Sequence, residues 1–168
     1  ALTAKSAYGD GTIDFTEADL ADADLSDSAL TANSAYGDGT IDFTEANLAN
    51  ADLSGSALTA KGDDAATIDF TEANLTNADV SDSTLTADSN YGDATIDFTE
   101  ANLASADLSD STLTAEGEID ATIDFTEADL ANADLNGSAL TADKIVGLAP
   151  SPPPPSPSPP SPSPPPPS

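Results

Sequence analysis

The chain has no cysteine, histidine, methionine, tryptophan or arginine, and its first 149 residues have no proline. Without Cys and His there is no zinc finger, thiol nucleophile, haem or iron–sulfur ligation, and no Ser-His-Asp triad. Positive charge is nearly absent as well. Lys5, Lys61 and Lys144 stand against 31 Asp and Glu, a formal net charge of −28. That excludes a basic patch for nucleic-acid phosphates or an anionic membrane surface. No apolar run approaches the roughly 18 residues needed to span a membrane. No signal peptide is visible, which excludes nothing, because a mature chain would have lost it.

What is present is split in two. All 13 prolines lie in Pro150–Ser168, and all 31 acids lie before them. The boundary near Ala149 separates an acidic body, residues 1–149, from an uncharged Pro/Ser tail, residues 150–168.

The body repeats every 27 or 28 residues. The phrase T-I-D-F-T-E-A-[DN]-L occurs five times, at Phe15, Phe43, Phe70, Phe98 and Phe125, which are all the phenylalanines of the chain. Within each unit the large apolar residues recur every five positions, as in Phe15, Leu20, Leu25 and Leu30. A spacing of five spirals around an α-helix and alternates faces on a flat strand. A chain that turns a corner after each step brings every fifth residue back inside. The residues two before each large one, Ile13, Ala18, Ala23 and Ser28, read as a second, tighter inward position.

Tandem A-[DN]-L-x-x resembles the pentapeptide-repeat family, over nearly all of residues 13–142. The resemblance implies an all-β fold, a right-handed quadrilateral β-helix with four pentapeptides per coil and about five coils. It departs from the family's uninterrupted run. Each four steps are followed by a spacer, KSAYGDGT, NSAYGDGT, KGDDAAT, DSNYGDAT or EGEIDAT. Gly-Asp-Gly is turn chemistry, so the spacers are expected as corner loops rather than as a degenerate fifth step.

Stacked coils place Phe on Phe and Ile13 on Ile41, Ile68, Ile96 and Ile123. They also place acids in ladders, Asp14, Asp42, Asp69, Asp97 and Asp124 in one and Glu17, Glu45, Glu72, Glu100 and Glu127 in another. Two like charges at a strand spacing of about 4.8 Å repel by about 0.9 kcal/mol in bulk water. With three cations in the chain, salt, divalent ions or raised carboxylate pKa values must offset this.

Gly9–Glu17 resembles the second half of an EF-hand loop, but Tyr8 and Ser6 stand where carboxylate ligands belong. The phrase reads as a repeat face plus a turn. A different cation site remains a candidate, with Asp10, Asp38 and Asp93 beside Asp14, Glu17, Asp42, Glu45, Asp97 and Glu100, and its ion would be Ca2+. No cofactor is required. Tyr8, Tyr36 and Tyr91 occur only in the eight-residue spacers, as a subunit contact or as packing on the rod.

The tail, SPPPPSPSPPSPSPPPPS after Pro150, is expected as polyproline II, about 59 Å long at about 3.1 Å per residue. It is similar to the Ser-Pro blocks of hydroxyproline-rich cell-wall glycoproteins. That resemblance implies hydroxylation and glycans on Pro152, Pro153, Pro154, Pro155, Pro157, Pro159, Pro160, Pro162, Pro164, Pro165, Pro166 and Pro167, with Ser151 and Ser156 as further candidates. Asn74 and Asn136 fit the N-glycosylation pattern.

The chain opens on Ala1-Leu2-Thr3-Ala4, the last step of a coil, with no capping helix. Ile145, Val146 and Leu148 could cover the other end or dock on a neighbour. Solenoids need polar caps, and open heterologous contacts make fibres. Leu2, Ile145, Val146 and Leu148 are therefore the assembly candidates. The sequence reads as a non-enzymatic, extracellular or cell-surface structural glycoprotein. Its partners would be other copies of itself, head to tail, and covalent glycans, with no nucleic acid and no membrane insertion. Two other readings stand beside it. Some pentapeptide-repeat proteins are DNA mimics that bind type II topoisomerases, which suits the acidity but not the tail or the missing dimerisation helix. The third reading is a tethered cation-binding surface module.

Overall fold

The computed structural model describes residues 1–148, and the tail readings lie outside the described residues. The body is an all-β parallel solenoid of about five coils, the right-handed quadrilateral β-helix expected from the repeats. Among the described residues there is no helix. Twelve strands form two six-stranded parallel sheets. One holds β1 (Leu2–Ser6), β3 (Ala29–Ser34), β5 (Ala57–Gly62), β7 (Thr84–Ser89), β9 (Thr112–Glu116) and β11 (Ala139–Thr141). The other holds β2 (Gly11–Asp14), β4 (Gly39–Asp42), β6 (Ala65–Asp69), β8 (Asp93–Asp97), β10 (Ala121–Asp124) and β12 (Lys144–Val146). The other two sides of each coil are single parallel bridges, such as Asp19↔Asn47 and Asp24↔Asp52.

The five-residue period becomes a square through its turns. After Phe15, Leu20 and Leu25 the chain reverses with Ala18 N donating to Phe15 O (2.9 Å), Ala23 N to Leu20 O (3.1 Å) and Ser28 N to Leu25 O (3.2 Å). Each is a turn with a left-handed residue third, Glu17 (φ 56), Asp22 (φ 57) and Asp27 (φ 52). That geometry is the type II turn, which ordinarily takes Gly or Asn at this place. Here Glu45, Glu72, Glu100 and Glu127 repeat it in every coil. The polar residue before each large apolar one holds the turn from outside. Asp14, Asp42, Asp69, Asp97 and Asp124 each accept from the amide two residues on, at 2.7 to 2.9 Å. The [DN] of the repeat is thus an Asx cap.

Inside, the ladders are continuous. Phe43, Phe70, Phe98 and Phe125 are buried, and consecutive ring centroids lie 4.9 Å apart. The second inward position is filled by buried alanines and, at the third corner, by serine. Ser56, Ser83 and Ser111 are at most 2% exposed. Their hydroxyls donate to Leu25 O (2.7 Å), Leu53 O (2.8 Å) and Val80 O (2.6 Å). Among the described residues no buried side-chain polar atom lacks a partner.

The fourth corner departs from expectation. The spacers are corner loops only at their middles, such as residues 35–38, and their ends are strand. β3 runs on to Ser34 and β4 starts at Gly39, and only a short bend joins them. Parallel pairing with the next coil, such as Asn33↔Lys61 and Gly39↔Ala66, turns both ends of the spacer into strand and leaves a bend between them. The two sheets therefore extend past the square and converge into a thin fin. Inward residues shrink along it, from Leu30 through Ala32 to Ser34 on one side and from Ile41 to Gly39 on the other. At Gly39 an added Cβ would lie 2.1 Å from Lys61 O. Backbone meets backbone there, so only glycine fits.

At the C-terminal side of the repeats, β12 does not fold over the end. It pairs with β10 in register, Ile145 on Ile123, and continues the sheet. Lys144 bonds Asp120 beneath it. The interior of the end coils is only partly covered, with Phe15, Leu20, Leu130 and Leu135 partly buried.

Candidate functional site

Three surfaces emerge: the acidic turn ladders, the sheet edges and the fin tip. Hydrogen bonding lowers the carboxyl of Asp14, chiefly through the Thr16 amide. It lowers those of Asp24 and Asp107 chiefly through the Ser26 and Ser109 hydroxyls. Asp120 is held low by the hydrogen bond from Lys144, which in turn holds the Lys144 ammonium high.

The structure spreads the cation candidates along the rod. Asp14, Asp42 and Asp97 cap turns. Glu17, Glu45 and Glu100 occupy the left-handed turn position. Asp10 lies in the fin bend and accepts from Asp38 N at 3.1 Å, and Asp93 begins β8. Among the described residues no three acids converge as a group that could hold a metal ion. The ladders present oxygens in a row rather than around a point.

Of the N-glycosylation candidates, Asn74 is half-buried, and its Nδ2 donates to Asn47 Oδ1 (3.2 Å) within an amide ladder. Asn136 is exposed beside Asp134. The Pro152–Pro167 and Ser candidates lie outside the described residues.

The assembly candidates all stand open: Leu2 at 49%, Ile145 at 42%, Val146 at 37% and Leu148 at 39% exposure. Val146 O accepts from Phe125 N at 3.0 Å, so the peptide groups of its neighbour Ile145 face away from β10, along an edge with no strand partner among the described residues.

At the fin tip Tyr8, Tyr36, Tyr91 and Ile119 project into solvent, and Tyr8 stacks on Tyr36 with centroids 5.6 Å apart. The tyrosines do not pack on the rod. Ile119 had no repeat signal to mark it, because its spacer alone has no Tyr or Gly-Asp step. On the fin's flank, Lys61 pairs with Asp88 at 2.6 Å in a shallow polar depression also lined by Asn33, Asp63 and Asn90.

The model of the family described as pentapeptide repeats matches in eight copies, with residues 41–60 as the matched span. Those residues are the second coil's first four steps, and the solenoid they belong to has the pentapeptide-repeat fold. No match was found among curated proteins. Among solved structures, one similar chain is a pentapeptide repeat protein from the Arabidopsis thaliana thylakoid lumen. It is 22% identical with a TM-score of 0.38, over 71% of this chain and 59% of that one. The chain thus spans 59% of the length of that protein. Another is the pentapeptide repeat protein Rfr23 from the cyanobacterium Cyanothece 51142, 25% identical with a TM-score of 0.23, over 64% of this chain and 63% of that one. A third is QnrB1, a plasmid-mediated fluoroquinolone resistance protein, 17% identical with a TM-score of 0.23, over 83% of this chain and 90% of that one.

Proposed function

We propose that this chain is a non-catalytic structural protein of the cell exterior, a rigid acidic rod that associates end to end and carries a glycosylated Pro/Ser tail. The observation that supports the association is the open edge of β12. It holds the ladder register and exposes Ile145, Val146 and Leu148 with no cap over them among the described residues. Unpaired parallel edges are templates for a further strand.

A second copy fits that edge in the existing register. Placed on β11, its β1 sets Leu2 over Leu140 and Thr3 over Thr141, because those sheet positions run Leu2, Leu30, Leu58, Leu85, Leu113, Leu140 and Thr3, Thr31, Thr59, Thr86, Thr114, Thr141. Its β2 then falls on β12, Ile13 over Ile145. The exterior location and the glycans rest on the tail's composition.

Sedimentation velocity on the 168-residue chain tests association. Species heavier than 16.7 kDa should grow with concentration and calcium, and Ile145→Pro, which removes the outward N–H, should abolish them. A single 16.7 kDa species at every concentration would contradict the reading. Intact mass of source material tests the rest. Pentose and hexose steps mapped to the tail are expected, and a sharp peak at the bare mass would remove the glycoprotein.

A further inference from the structure

The fin tip is an apolar ladder with a notch in it. Tyr8 and Tyr36 stand in successive coils, and Tyr91 and Ile119 in two later ones. The coil between Tyr36 and Tyr91 has the seven-residue spacer and brings only Asp63 and Asp64 to the tip. Backbone bonds tie the three levels together, Asp63 N to Gly37 O (3.0 Å) and Tyr91 N to Asp63 O (3.0 Å). Tyr36 and Tyr91 are thus two strand spacings apart, about 9.6 Å, with no side-chain ring between them.

Polyproline II completes one turn in three residues, about 9.3 Å. That matches the notch, so prolines one turn apart can seat against successive rings. Aromatic rings are the surfaces that Pro-rich segments dock on. The 13 prolines of the tail bring free carbonyls and no N–H, which suits three exposed tyrosine hydroxyls, and N–H remains only at Ala149 and the six serines. The prolines interrupt the run of donors that pairing along the β12 edge needs. The flanks are acidic, and the chain's own tail carries no charged side chain.

The geometry points to residues 149–168 of the same chain as the occupant: we propose that the tail packs back in cis along Tyr8, Tyr36, Tyr91 and Ile119. Reach allows it. Val146 pairs with Asp124, five residues from Ile119, or about 17 Å of strand. From Ile119 to Tyr8 is four coil spacings, about 19 Å. The sum of about 36 Å is well inside the roughly 62 Å that 20 residues of polyproline II span. Tethering supplies an effective concentration in the millimolar range, which a weak contact needs. This holds whether or not the rods join end to end.

The test is unambiguous because every tyrosine is on the fin and every proline is in the tail. In the full-length chain made without hydroxylation or glycans, NOEs between Tyr ring protons and Pro δ protons are expected, and they should persist on tenfold dilution. Acrylamide quenching of tyrosine fluorescence should fall to about half that of a full-length variant with every tail proline replaced by serine. The double variant Tyr36→Ser, Tyr91→Ser should lose most of the remaining Tyr–Pro NOEs. Absence of NOEs with equal quenching in the two chains would overturn the proposal. NOEs that vanish on dilution would assign the contact to a neighbour's tail and overturn it in cis.

Discussion

Replacing Phe70 by alanine probes the ladder at its centre. Phe70 is 1% exposed and stacks on Phe43 and Phe98, each at 4.9 Å and within 1° of parallel. A buried Phe→Ala change costs about 3–5 kcal/mol in transfer and cavity terms. Both stacking partners lose contact, so the upper half of that range is expected. For a domain of this size each kcal/mol moves Tm by about 2–4 °C, which gives a fall of about 8–20 °C. Phe15→Ala is the internal control. Phe15 has one stacking partner and is only partly buried, so its loss should cost about half as much. Thermal unfolding followed by far-UV circular dichroism measures both, since the tyrosines sit on the fin and report poorly on the core. A Phe15→Ala cost equal to that of Phe70→Ala, or a Phe70→Ala cost below about 1 kcal/mol, would refute the stacked-ladder account.

Three further outcomes follow from particular contacts. Gly39→Ala drives a Cβ to 2.1 Å from Lys61 O and should destabilise by about 1–3 kcal/mol in urea titration, although alanine has the higher strand propensity. Ser83→Ala strips a hydroxyl that donates to Leu53 O (2.8 Å) and accepts from Ser56 N (3.2 Å), and leaves those two groups only the turn bond between them, Ser56 N to Leu53 O at 3.1 Å. A cost of about 0.5–1.5 kcal/mol is expected, with Ser83→Thr less suitable than wild type because the site is 1% exposed. Acid should act on the caps of Asp14, Asp24 and Asp107. Their carboxyls are lowered in the fold, so their contribution is complete above the ordinary carboxylate pKa and is lost as pH falls through the lowered values. Tm measured downward from pH 4 should drop, and Asp107→Asn, which keeps an acceptor without titrating, should flatten that part of the curve.

The core was legible because its signal is repeated. Five phenylalanines and the five-residue spacing of leucines admit no helix and no flat strand, and the register of Ile13 on Ile41 follows from the 28-residue offset. The turns were less legible. Type II geometry normally announces itself through Gly or Asn, and here Glu17 and Asp22 hold φ near 56° because inter-coil bonds on both sides fix the corner. The spacers misled for a related reason. Gly-Asp-Gly has turn chemistry in isolation, but the neighbouring coil offers a parallel partner one strand spacing away, and pairing turns the ends of the segment into strand. The second glycine of each Gly-Asp-Gly, Gly11 and Gly39, is there for the close approach of the two sheets, while Gly9 and Gly37 lie in the bend. The repeat shows that the Asp residues stack, but their capping of the next turn depends on the backbone path. Exposure of Tyr8, Tyr36 and Ile119 could not be read at all, since a fin and a loop hold the same residues.

Cryo-electron microscopy of the assembled chain tests the central claim most directly. If both sheets run on through the junction, each molecule contributes six strands to each sheet. The filament should then repeat about every 29 Å along its axis, six strand spacings of about 4.8 Å. Density for β1 of one copy should lie on β11 of the next. Isolated rods, or rods that associate only side by side, would contradict it.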